Sequence, residues 1–199
     1  MLFNRAEMYN KRAAQPQFKA QEVIGLLKLE KGHAVADIGS GGGFFTMRFS
    51  EAVGETGKVY AVDTNEKLLA YVKKKARELG RNNVVAVAVR AGKEGLDLPS
   101  GSLDLAFMRN VFHHLEEPAD YFKVLRGRMK PEGRVVIIDY KKGTAPGFIQ
   151  FMRHYTDERR ITEAMTKAGY ELTSRYDFIP GQSFHIFRPS TQEGIQCTY

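Results

Sequence analysis

The sequence predicts an α/β fold: a doubly wound, mostly parallel seven-stranded sheet with helices on both faces and a C-terminal antiparallel β-hairpin. Three observations carry this. From residue 34 onward, short apolar runs alternate with segments of helical period, the pattern of parallel strands joined by crossover helices. The strand-like runs are apolar on both faces, as strands covered from two sides must be. Near the C-terminus two β-like runs are separated only by Pro180-Gly181-Gln182, a link too short for a parallel crossover.

The elements follow in order. Residues 1–30 form a helical N-terminal segment; within it, 17–28 place Phe18, Val23, Ile24, Leu26 and Leu27 at helical spacing, with Pro16 suited to the first turn. Ala34 to Ile38 is a buried strand that ends in Gly39-Ser40-Gly41-Gly42-Gly43. A helix over 44–53 turns Phe45, Phe49 and Val53 inward, and Lys58 to Asp63 is the second strand. The helix over 65–79 carries Leu68, Leu69, Val72, Ala76 and Leu79 on one face and stops at Gly80. Val84 to Val89 and Leu103 to Met108 are the third and fourth strands. Pro118 opens a helix through Met129 that buries Phe122, Val124 and Leu125, and Arg134 to Asp139 is the fifth strand. A last helix over 157–168 has Thr156 as its N-cap and Gly169 as its stop. The hairpin pairs Tyr170–Ile179 with Ser183–Arg188. Residues 1–188 therefore read as one domain and 189–199 as a tail.

At 199 residues and 43% hydrophobic content the chain has the material for one real core. A lone cysteine, Cys197, excludes an intramolecular disulfide and a multi-thiolate zinc site. No apolar run reaches the roughly 20 residues of a membrane span, and the first residues lack the apolar stretch of a signal peptide, so a cytoplasmic location is expected. The net charge of +7 raises a nucleic-acid reading. Most of the excess, however, lies at helix ends expected opposite the ligand edge, at Lys74, Lys75, Arg77 and Arg81 and at Arg126, Arg128 and Lys130, where it complements the helix dipole. Nucleic acid is therefore not the expected partner. Arg90, Lys93, Arg109, Lys141 and Lys142 remain near the active edge and favour an anionic acceptor.

The sharpest motif is Asp37-Ile38-Gly39-Ser40-Gly41-Gly42-Gly43, at a strand-to-helix junction. Glycines there let a ligand approach the backbone, and the helix start offers free N–H groups to an anion. Asp63, at the end of the next strand, suits a ribose diol. The dinucleotide pattern G-x-G-x-x-G fails, because Phe44 stands at its third glycine position. The pattern D-x-G-x-G-x-G is met by Asp37, Gly39, Gly41 and Gly43. This resembles the first motif of class I S-adenosylmethionine-dependent methyltransferases, in particular their small-molecule members. Val59 to Asp63, Leu98 to Asp104, Phe112-His113-His114-Leu115 and Met129 to Arg134 resemble later segments of the same family. The last of these is expected as the turn before strand five.

The resemblance implies S-adenosylmethionine as cofactor and S-adenosylhomocysteine as product. It implies a cofactor site of Asp37, Gly39, Ser40, Gly41, Gly43, Asp63, Thr64, Gly92, Lys93 and Arg109. One departure stands out. The acid that family members often carry after strand three is missing from Val89-Arg90-Ala91-Gly92-Lys93-Glu94, so adenine contacts fall to the backbone around Ala91 to Lys93 or to Glu94.

Methyl transfer from a sulfonium needs alignment more than acid–base help, and a base only where the acceptor must lose a proton. His113 is the first candidate for that base, and Tyr140 for a hydrogen bond to the acceptor. The competing reading has the histidines capping or packing against the helix at Pro118, and Tyr140 as pocket wall. His154 and Tyr155 are expected in a mostly apolar helix, and Tyr9 either in an N-terminal lid that reaches the site or in ordinary packing or a frayed end. No metal is expected, since no helix carries histidines at i, i+4 and no carboxylate set stands nearby. The expected reaction is methylation of a small molecule by in-line displacement. The alternatives are RNA or protein methylation and non-catalytic cofactor binding.

Overall fold

The computed structural model describes residues 3–89, 96–143 and 154–191. A helix α1 (Phe3–Ala13), a 3-10 turn (Pro16–Phe18) and α2 (Ala20–Leu27) precede the sheet. They are followed by β1 (Ala34–Ile38), α3 (Phe44–Val53), β2 (Lys58–Asp63), α4 (Glu66–Glu78), β3 (Val84–Ala88) and β4 (Leu103–Arg109). A 3-10 turn (Phe112–His114), α5 (Pro118–Arg126), β5 (Met129–Tyr140), α6 (Glu158–Lys167), β6 (Tyr170–Tyr176) and β7 (Gln182–Pro189) complete the order.

The seven strands lie in the order β3-β2-β1-β4-β5-β7-β6. The first five are parallel, and β7 runs antiparallel between β5 and β6, so the predicted sheet and terminal hairpin are both present. The order reverses between β1 and β4, and the carboxyl ends of these strands flank the crevice where open α/β sheets take ligands. Alternate residues of the central strands go to opposite cores. Val35, Leu105, Phe107, Val136 and Ile138 meet α2 and α3, while Ala36, Ala106, Met108 and Ile137 meet α5 and α6. Phe107 is gripped by Phe45 and Phe49 of α3, with ring centroids 4.8 and 5.1 Å away.

Several boundaries differ from expectation, each for a local reason. The helix expected over 17–28 is broken at Lys19, whose φ of 47° is left-handed. The expected turn Met129 to Arg134 is the start of β5 instead. Leu103 pairs with Met129 and Leu105 with Arg134, so the extra residues bulge. Pro131 has no N–H for the ladder, and a Cβ on Gly133 would lie 2.7 Å from the Leu103 carbonyl oxygen. The fifth helix ends at Arg126 rather than Met129. Leu79, expected inside, is half exposed past the end of α4. Asp157 caps α6 by accepting from the Arg159 N–H, because the Thr156 hydroxyl is used elsewhere. β6 ends at Tyr176, three residues before the expected Ile179. Residues 192–199 of the expected tail lie outside the described residues.

Much of the basic excess is paired within the fold. Lys74 and Lys75 pair with Glu78, Arg81 with Glu51, and Lys130 with Asp104. Arg126 donates to the Ser190 carbonyl and Arg128 to the Ser100 hydroxyl. No helix among the described residues is long and apolar enough to cross a membrane.

Candidate active site

The glycine loop leaves β1 and turns under the end of β2. The N–H groups of Gly39 and Ser40 both donate to the Val62 carbonyl, at 2.8 and 3.1 Å. Gly39, Gly41 and Gly43 have φ of 70°, 54° and 79°, left-handed values that L side chains adopt only with strain. Asp63 ties the loop to β2. Its Oδ2 accepts from the Gly41 N–H at 2.9 Å, and its Oδ1 accepts from the Asn65 N–H at 2.9 Å.

Asp37 is buried beneath the loop, where the Thr46 hydroxyl donates to its Oδ2 at 2.5 Å. Burial pushes its carboxyl up to about 7; the Thr46 bond opposes this and the nearby Asp63 charge adds to it. The Ser40 hydroxyl is buried with no partner among the described residues. Thr64 is exposed at the rim. Gly92 and Lys93 lie outside the described residues.

Helix α1 closes the loop from above. The Asn10 Nδ2 donates to the Gly42 carbonyl at 2.8 Å, and a Cβ on Gly42 would come within 2.2 Å of the Ala6 carbonyl oxygen. Tyr9 lies against Gly41, where the lid reading expects it. Further along the same helix, the Arg12 Nη2 donates to the Tyr140 hydroxyl at 3.1 Å. One helix thus straps the carboxyl edge of the sheet from the glycine loop to the end of β5.

Arg109 is not aimed at the glycine loop. Its guanidinium stacks over Phe18 at 4.6 Å and Phe45 at 5.5 Å, and donates to the Gln182 side-chain oxygen at 3.4 Å. Burial lowers its pKa to about 10. Tyr140 is buried beside it, edge-on to Phe18.

On the opposite face of β5, fully buried Asp139 collects donors. It accepts from the Tyr140 N–H at 2.8 Å, the Thr156 hydroxyl at 3.0 Å, the His113 N–H at 3.0 Å and the His113 Nδ1 at 2.9 Å. An ionised carboxylate has acceptor sites for all four. In a neutral imidazole ring the Nδ1 contact makes Nδ1 the protonated nitrogen and leaves Nε2 with a lone pair. That Nε2 is buried and has no hydrogen-bond partner among the described residues. His114 and His154 crowd around it, with ring centroids 4.1 and 5.1 Å from His113. Both have lowered pKa values, first through burial and then through His113. His154 lies outside any helix, two residues before the point where the Thr156 N–H donates to the Tyr140 carbonyl at 2.8 Å, rather than in the expected helix.

Sequence reasoning missed Asp139, Thr156 and Arg12. For Asp139 a signal existed: it is a charged residue closing a strand otherwise apolar on both faces.

With the geometry in place, comparison with known proteins is decisive. A family model described as a methyltransferase domain matches residues 29–177. The chain belongs to this family. It is a class I S-adenosylmethionine-dependent methyltransferase. Among curated relatives, the ubiquinone/menaquinone biosynthesis C-methyltransferase UbiE of Pasteurella multocida is 34% identical over 118 residues, 57% of this chain and 42% of that protein. Its counterpart in Escherichia fergusonii is 31% identical over 114 residues, 57% of this chain and 45% of that protein. The matches thus span less than half the length of these relatives. A methyltransferase structure from Aquifex aeolicus is 26% identical, covers 90% of this chain and 97% of its own, and superposes with a TM-score of 0.73. The [4+2]-cyclase SpnF, 16% identical, shares the fold over 87% of this chain and 82% of its own with a TM-score of 0.70. The fold alone therefore does not fix the reaction.

The residues of this methyltransferase fit S-adenosylmethionine. The glycine loop opposes the carboxylate of Asp63, and the Ser40 hydroxyl lacks a partner among the described residues. If Asp63 accepts from the ribose, Asp63→Ala is expected to weaken cofactor binding by about 1.5–3 kcal/mol in isothermal titration. Unchanged affinity would place the ribose elsewhere.

Proposed function

We propose that the methyltransferase acts on a small molecule, at a carbon beside an ionisable oxygen. The observation that carries this is the α1 strap. Ala6 and Asn10 sit on Gly42 while Arg12 holds Tyr140, so the carboxyl edge is covered by the chain's own helix where a macromolecular acceptor would need it open. The UbiE relatives, C-methyltransferases by name, support methylation at carbon.

In this reading Asp37, Gly39, Ser40, Gly41, Gly43 and Asp63 hold the cofactor, which supplies a methyl group already activated by its sulfonium. Thr64 borders them. The contacts of Arg109 with Phe18, Phe45 and Gln182 support a supporting role behind the pocket wall in place of direct cofactor contact. The protein's task is then to align acceptor and methyl group and to exclude water. Tyr140, its hydroxyl oriented by Arg12, lines the acceptor side. His113, oriented by Asp139, stands on the acceptor side.

The test is a labelled-methyl transfer screen over hydroxylated aromatic and enolic small molecules, with RNA and protein pools in parallel. Label appearing only in RNA or protein would overturn the proposal. Deleting residues 1–14 is expected to weaken cofactor binding and lower turnover together, since it removes the cover over Gly41 and Gly42. If both survive unchanged, α1 plays no part in the site.

A further inference from the structure

Three histidines from two separate segments converge on one point. His113 and His114 come from the turn after β4, and His154 from the stretch that returns to the end of β5. The ligand atoms of all three lie within 4.8 Å of one another. Three features separate this group from casual crowding. His113 is nearly sealed, its side chain 4% exposed, with its Nε2 buried and without a partner among the described residues. A buried imidazole nitrogen is ordinarily hydrogen-bonded, and one left bare calls for an explanation. Its other nitrogen is held by Asp139, a carboxylate at 0% exposure that Thr156 and two backbone N–H groups also fix. A carboxylate behind a histidine is the outer-shell arrangement that orients metal-binding imidazoles and raises their basicity. Finally, His114 is exposed, so one side of the group is open to solvent.

We propose that His113, His114 and His154 form a binding site for a divalent first-row transition-metal ion of the zinc class. All-imidazole ligation selects such ions over magnesium or calcium, which prefer oxygen. Bonds of about 2.05 Å in tetrahedral geometry place ligand nitrogens about 3.3 Å apart. Binding would draw the ligand atoms in from the observed spread of up to 4.8 Å, with exposed His114 turning toward the other two. Three protein ligands leave a coordination position open. The proposal rests on the acceptor-side reading for its role: the open position suits an anionic oxygen of the acceptor, and the ion would acidify that oxygen as a Lewis acid. The lone pair of His113 is then a ligand rather than a proton acceptor, and three converging imidazoles are more than a single base requires.

The test uses the full chain without a polyhistidine tag, stripped with chelator and titrated with Co2+, then with Zn2+ in competition. A single equivalent of Co2+ is expected, with visible bands of nitrogen ligation that Zn2+ abolishes. His114→Ala and His154→Ala are each expected to weaken Co2+ binding at least about tenfold, and Asp139→Asn by roughly tenfold to a hundredfold. Near-UV circular dichroism confirms that each variant is folded. Absent bands, or equal Co2+ affinity in wild type and the His114→Ala/His154→Ala double variant, would overturn the site. The titration needs no acceptor, so a metal site without small-molecule methylation, or the converse, separates this inference from the reading it rests on.

Discussion

Asp139→Ala is expected to destabilise the protein by about 4 kcal/mol or more, the largest effect of any single substitution at the site. The wild-type carboxylate is fully buried and accepts from two backbone N–H groups, the Thr156 hydroxyl and His113 Nδ1. Truncation leaves these donors without an acceptor in a place water does not reach, and each unsatisfied buried group costs roughly 1–3 kcal/mol. Asp139→Asn should cost less, because one oxygen still accepts, but its amide would face donors with a donor. Urea unfolding reads both. The order Ala below Asn below wild type, with unchanged m-values, is the expected result. Equal midpoints for Ala and wild type would show that the Asp139 network contributes nothing to stability.

The same carboxylate explains how much of this protein could be read from its sequence. The sheet was legible because parallel strands buried on both faces leave a compositional trace, and Pro180-Gly181-Gln182 leaves no room for a crossover. The loop was legible because positive φ at Gly39, Gly41 and Gly43 constrains residue type within a short stretch. Asp139 and His154 were not, because their roles depend on long-range register. Asp139 points toward His113 because β4 and β5 are parallel neighbours, with Arg109 opposite Ile138. His154 arrives because Thr156 bridges to Lys141 at the strand end. Neither pairing has a local signature. The misplaced N-cap has the same origin, since a tertiary acceptor at Asp139 outcompeted the helix for the Thr156 hydroxyl.

Asp37 is expected to make stability and cofactor binding respond to pH in opposite directions. Its carboxyl is raised from 3.8 to about 7 by burial, against the Thr46 hydrogen bond and with the help of Asp63. Between these values the native state keeps a proton that the unfolded chain releases. Stability from this group is therefore full below about pH 4 and is lost as pH rises to about 7, by up to about 4 kcal/mol at 1.36 kcal/mol per unit. Asp37→Asn removes the titration and keeps an acceptor for Thr46. The cofactor-free variant is expected to unfold at higher urea than wild type at pH 8, and the gap should close toward pH 4. Binding runs the other way. The cofactor carries a sulfonium and an ammonium, and a site in which Asp37 serves that cationic end must ionise the carboxylate on binding. Wild-type affinity for S-adenosylmethionine should then rise between pH 6 and pH 8, by up to about tenfold per unit below the carboxyl pKa, with proton release visible in titrations run in buffers of different ionisation enthalpy. Asp37→Asn should bind more weakly at pH 8 and lose this dependence. A variant that is more stable yet binds as tightly as wild type at pH 8 would make Asp37 a purely structural acid beneath the glycine loop, whereas gain and loss together would tie the strain of burying it to the charge it is kept for.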